Sequence, residues 1–220
     1  MKSKFGFWAI IAIIALIGFS ATACDPGGDD EVIYELGDTG PGGGIIFYRN
    51  LSGFTVQGYS GGQGSFESYT AKYLEAAPSN SGTAQWGANG TAIGNGLTTW
   101  STAAARDAGL QGSIGSGRKD TQIIVAHLGE NESGRAAQVV NAASFGGYND
   151  WFLPSLGELN ELYKYWNDNG IPANLSPTTE YYFSSTQFEV IYAWGQDFIS
   201  GVQTNVGRNY PSDVRAIRAF

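Results

Sequence analysis

Apolar and polar positions divide the chain into three regimes. Phe5 to Phe19 is an apolar run without a charge, behind Lys2 and Lys4. The middle of the chain carries apolar positions at helical spacing. Its two ends carry short, dense runs of aromatic and β-branched residues, which favour strands.

Near the N-terminal end, Ile45-Ile46-Phe47-Tyr48 reads as a short buried strand and Phe54-Thr55-Val56 as a weaker one. Tyr69 to Ala77 has helical character and stops at Pro78. Residues 79–96, rich in Ser, Gly, Asn and Thr around Trp86, read as irregular loop. Helices are expected over Thr98–Ala108 and Thr121–Leu128. Two more are better marked. Ser133 is placed to cap a helix carrying Ala136, Val140 and Ala143, and Gly146-Gly147 stops it. Ser155-Leu156-Gly157-Glu158 is a capping box, followed by Leu156, Leu159, Tyr163 and Trp166 as a buried stripe. Beyond Pro177 the pattern turns to strands: Tyr181–Thr186, then Ile191–Ile199 and Val202–Val206 as a hairpin about Ser200-Gly201, then Val214–Phe220. Helices between strands at both ends predict an α+β fold, with the terminal strands joined in one antiparallel sheet.

The apolar run changes the picture of where the chain works. A basic start, an apolar stretch and the small residues Ser20-Ala21-Thr22-Ala23 before Cys24 have the layout of a secretion signal. Cys24 is the single cysteine, at the position that receives a lipid in bacterial lipoproteins. Residues 1–23 are therefore expected to be a lipoprotein signal peptide, and acyl chains on Cys24 would tie the protein to a lipid bilayer. An uncleaved anchor is the alternative, since residues 5–24 approach the roughly 20 residues that span a bilayer. Residues 24–36, acidic and Gly-rich, read as a tether, and 37–220 as the folded domain. Loss of Lys2 and Lys4 takes the formal net charge from −8 to −10. That sign argues against nucleic acid as a partner. The 32 glycines and many aromatics argue for long loops around an aromatic core.

Reactive chemistry is sparse. His127 is the only histidine and lies in an apolar run, where a structural hydrogen bond at a helix end is expected. One histidine and no thiol in 25–220 leave neither a nucleophile–base pair nor a zinc set, so no metal and no cofactor are expected. Gly112 to Lys119 brushes the phosphate-loop pattern but lacks its Lys-Ser/Thr pair and reads as loop. Asn167-Asp168-Asn169-Gly170 lacks the ligands of a calcium loop and reads as a helix end. Glu158 and Glu161 read as a cap and a solvated face. Trp86 and Trp100, in or beside Gly-rich loops, are candidates for stacking on sugar rings. Asn149 and Asp150 are candidates for a polar ligand contact, beside their reading as a structural turn.

Gly40-Pro41-Gly42-Gly43-Gly44-Ile45-Ile46-Phe47-Tyr48, Tyr73-Leu74-Glu75-Ala76-Ala77-Pro78, Gly146 to Ser155 with Glu158-Leu159, Tyr182 to Thr186 and Val214 to Phe220 together resemble the Lcl C-terminal domain family, named after collagen-like bacterial adhesins. The likeness runs from about residue 37 to the C-terminus. It implies a C-type-lectin-like fold, related to the formylglycine-generating enzymes: two main helices, a sheet joining the termini and long loops. It also implies a non-catalytic surface domain that binds a glycan or protein, with homo-oligomers among its forms. No collagen repeat precedes the domain, and the cysteines of the formylglycine-generating enzymes are missing. Residues 57–68, 79–96 and 109–120 are the loops expected to make contacts. The alternative is a structural, self-assembling envelope protein, with an enzyme ranked last. The expected location is the bacterial envelope, lipid-anchored and outside the cytoplasm, at the outer membrane or cell surface in preference to the inner membrane.

Overall fold

A computed structural model describes residues 32–94, 96–170 and 181–220. Cys24 and the segment before it lie outside these residues. The compact body runs from Tyr34 to Phe220. It therefore takes in the end of the segment read as tether: the Tyr34 ring packs edge-on against Tyr73 (5.4 Å) and Phe220 (5.7 Å).

The body is α+β. A three-stranded antiparallel sheet has the order β1 (Ile45–Val56), β2 (Tyr69–Ala76), β8 (Ile217–Ala219). It joins the N- and C-terminal strands, as the sequence predicts. A second sheet has the order β3 (Thr83–Ala84), β7 (Ser212–Asp213), β4 (Tyr182–Glu189), β5 (Tyr192–Gln196), β6 (Gln203–Gly207). Among the described residues there are four α-helices: α1 (Ala103–Gly109), α2 (Gly117–Leu128), α3 (Ala136–Asn141) and α4 (Leu156–Asn169). Two main helices were expected, and α2 and α4 are the two long ones.

The segment expected as a helix over Tyr69–Ala77 is the strand β2, Tyr69–Ala76. Its Lys, Leu, Glu and Ala favour helix locally, but Leu74, Glu75 and Ala76 are buried between β1 and β8, and strand pairing on both edges outweighs that preference. The 98–108 helix starts five residues late, because Thr99 pairs with Gln187 of β4 and Thr102 is the residue whose hydroxyl caps α1. α3 is capped at Arg135, not Ser133, with the Gln138 side chain accepting the Arg135 N–H. The 112–119 segment is loop only in part: α2 begins at Gly117.

The Ser155 box closes as read. The Ser155 hydroxyl accepts the Glu158 N–H (3.2 Å), and the Glu158 carboxyl accepts the Ser155 N–H (2.8 Å). Leu156, Leu159, Leu162 and Trp166 are buried along α4, while Tyr163 is half-buried. Leu159, Leu162 and Trp166 pack with Phe47, Leu74, Phe152, Phe198 and Ile217 into one core cluster, with Tyr163 against it. A second cluster gathers Trp86, Ile124, Leu128, Val140, Trp151 and Phe183 under α2 and α3.

Candidate functional site

Four segments meet at Arg218. In the β2–β8 register Glu75 lies opposite Arg218, and their charged atoms are 3.4 Å apart. Glu75 is fully buried and accepts the N–H groups of Gly42 (3.1 Å) and Gly44 (2.7 Å), which holds the Gly-Pro-Gly turn against the sheet. At Gly44 a Cβ would stand 1.9 Å from the Ala76 carbonyl oxygen, so only glycine fits. Arg218 also grips Asp150 with two bonds (2.9 and 3.2 Å) and lies 3.9 Å over the Tyr148 ring. Burial alone would lower the Arg218 pKa, but Asp150 and Glu75 reverse the sign and raise it. This network fixes the Tyr148–Asp150 segment, with Asn149 exposed beside it.

A second anchoring point lies under α2. The Gly115 N–H donates to Glu158 (2.8 Å), and its carbonyl accepts the Gln57 N–H (2.8 Å). Gly115 has φ +94°, and a Cβ there would lie 2.0 Å from the Thr55 carbonyl oxygen. The loop before α2 is thereby locked to α4 on one side and to the end of β1 on the other. The β1–β2 loop, 57–68, closes on itself: Tyr59 and Phe66 exchange two backbone bonds of 2.9 Å, and Ser68 accepts the Gly58 N–H (2.9 Å).

Two open cavities flank the line where this loop meets α2. The larger, about 800 Å³, lies between Gln63–Phe66, the Arg118–Gln122–Ala126 face of α2, Asn141 of α3, and Asn149-Asp150. The smaller, about 410 Å³, lies between Gly58–Gly61, Ile93, Lys119, Ile123 and His127. Ala126 borders both. Both volumes suit a small ligand. In the larger cavity Arg118 is stacked on Phe66 (4.3 Å to the ring centroid) and donates to the Tyr69 hydroxyl (3.1 Å). Gln122 donates to Asn141 (2.6 Å). In the smaller one Lys119 donates to Gln57 (2.8 Å). His127 lies in the last turn of α2, the helix end where it was expected, and its side chain is exposed at the smaller cavity.

The candidate residues from sequence are only partly brought together. Asn149 and Asp150 line the larger cavity, but the Asp150 carboxylate is committed to Arg218. Trp86 is only 1% exposed: its indole donates to the Ser184 carbonyl (2.8 Å), and Arg208 covers the ring at 4.4 Å. It offers no face to a sugar and is a core residue. Trp100 is half-buried against Gly109, where a Cβ would come within 2.7 Å of the indole, and it borders neither cavity. Of the three loops expected to make contacts, 57–68 lines both cavities, 109–120 contributes Arg118 and Lys119 at the start of α2, and 79–96 contributes Ile93. Arg118, Gln122 and Asn141 were missed. The i, i+4 spacing of Arg118, Gln122 and Ala126 was the available signal for one solvent-facing stripe.

Among the described residues two carboxyls have raised pKa values, and neither lines the two cavities beside α2. Burial lifts Asp120 to about 6 against the opposing pull of Lys119, and lifts Glu158 to about 7 against the N–H groups of Ser155 and Gly115. Both are 0% exposed. Glu158 is the cap, as read, and is fully buried; Glu161, one turn on, is the partner of exposed Lys164 (2.7 Å). Among the described residues no His, Cys, Asp and Glu group has metal-binding geometry, and no helix is long and apolar enough to cross a membrane.

The body is an α+β domain whose first two strands and last strand share one sheet and whose 57–68 loop borders α2. Residues 85–218 match the family model described as the Lcl C-terminal domain, and the chain belongs to that family of bacterial surface-associated domains. The matched span contains α2, α3, Asn149 and Asp150, while the opposing wall, 57–68, precedes it. No curated protein matches the chain.

Proposed function

We propose that the protein is a lipid-anchored binding domain of the bacterial envelope, held outside the cytoplasm through Cys24. It takes a glycan or protein ligand in the two cavities beside α2 and performs no catalysis. The observation that carries this reading is the shared wall: one loop and one helix face, both fixed from beneath by Gly115, border two ligand-sized hollows. The carboxyls with raised pKa support a non-catalytic role, because a general acid must reach its substrate and these two are sealed in the core.

One substitution addresses both cavities. Ala126→Trp adds an indole where they meet, on an exposed helix position. It is expected to reduce capture on an array of glycans and matrix proteins at least tenfold, with an unchanged Tm. Full capture by a folded Ala126→Trp protein would contradict the site. For the anchor, Cys24→Ser is expected to abolish incorporation of labelled palmitate and release the chain from membranes. A Cys24→Ser chain that stays membrane-bound would favour an uncleaved N-terminal anchor instead.

A further inference from the structure

We infer that the larger cavity selects an uncharged glycan through a polarised amide pair, Gln122 and Asn141; this rests on the binding role proposed above. A sugar hydroxyl donates one hydrogen bond and accepts others, so its best partner is a donor and an acceptor side by side. The Gln122 amide donates to Asn141 at 2.6 Å. That bond leaves an acceptor, Gln122 Oε1, and a donor, Asn141 Nδ2, without partners among the described residues, and both residues line the cavity. Exchanging O and N on both amides leaves the same complement with the roles swapped, so the match to a hydroxyl does not depend on their assignment. Gln63 and Asn149 add two exposed amides at the rim.

Charge decides against an acidic ligand. Among the described residues Arg118 is the only cation of this lining, and it is already engaged by the Phe66 ring and the Tyr69 hydroxyl. Glu130 stands in the same lining, and the Asp150 carboxylate is matched by Arg218. A sulfated or uronic polymer would therefore meet at least as much negative as positive charge, on a chain of net charge −8. Neutral hydroxyls meet amides whose hydrogen bonds lose little to salt.

The test titrates the full chain in detergent with four neutral tetrasaccharides (cellotetraose, maltotetraose, xylotetraose, chitotetraose), with tetragalacturonate and heparin as acidic probes. At least one neutral probe is expected to bind. The Gln122→Ala/Asn141→Ala protein should lose at least tenfold in affinity and Asn149→Ala severalfold. Raising salt from about 50 to 500 mM should change binding less than twofold. Asn149→Ala, at an exposed position, keeps the test valid should the double variant fold poorly. Tighter binding of an acidic probe, loss of binding in salt, or neutral binding indifferent to Asn149→Ala and to the amide pair overturns the inference. Failure of all neutral probes while Ala126→Trp still abolishes capture of a protein ligand overturns the glycan class and leaves the proposed site standing. Indifference of every ligand to Ala126→Trp removes the site itself.

Discussion

Arg218 has two carboxylate partners and an aromatic lid, and its neighbours depend on it more than on one another. With Arg218→Met, Glu75, at 0% exposure, keeps its two backbone donors but loses the one ion-pair partner it has among the described residues. Breaking a buried pair from one side costs about 3–5 kcal/mol. Urea unfolding of Arg218→Met should show that loss, and Arg218→Met with Glu75→Gln should recover part of it. A single-variant loss below about 1 kcal/mol would mean the network is not holding the Gly-Pro-Gly turn. Trp86 teaches a different lesson at this scale. Its Gly-rich neighbours suggest exposure, but the atoms that bury it belong to Ser184 and Arg208, far along the chain. Nothing local announces them. Trp86→Ala should cost about 3–5 kcal/mol of stability by opening a core cavity, and should not alter ligand preference.

At the scale of elements, the strongest local patterns and the joining of the terminal strands are legible in the sequence, whereas the strand character of β2 and the cap of α3 are not. The Ser155–Glu158 box and the stripe on α4 are set by residues three and four apart, so their pattern is written in consecutive positions. Tyr69–Ala76 is strand only because β1 and β8 lie on either side, and that pairing leaves no trace in its composition. The candidate site has the same division. Asn149-Asp150 and the 57–68 loop were visible as turn-rich segments, whereas Arg118, Gln122 and Asn141 are drawn together only by the packing of α2 and α3. The α4 cap also makes the element sensitive to pH. Glu158 holds its proton to about pH 7 in the fold and to about 4.5 when unfolded. Between these values the unfolded chain releases its proton first, so stability falls as pH rises from 4.5 to 7 and then levels. The expected decline from this group is about 3 kcal/mol, and Asp120 adds a fall in the same direction between 3.8 and about 6. Chemical unfolding from pH 4 to 8 should show the decline, and Glu158→Gln should flatten it. A stability that rises across that window would contradict the buried, protonated state.

Across the whole molecule, rigid parts surround a pair of hollows. The sheets, α4 and the segments carrying Trp86 and Trp151-Phe152 hold the buried aromatics, and the β1–β2 loop with the outer face of α2 forms the main cavity walls. Separation of a packed body from a loop-walled surface is how binding domains keep a stable core while the surface takes its ligand. The exposed apolar residues Ile199 (83%) and Val202 (56%) sit at the β5–β6 turn, away from both cavities. The most direct measurement is amide hydrogen exchange on the full chain, with and without a saturating amount of the tightest array ligand. Protection is expected in 57–68 and 117–128, with little change at 199–202. Protection confined to the β5–β6 turn, with 57–68 and α2 unaltered, would contradict the account.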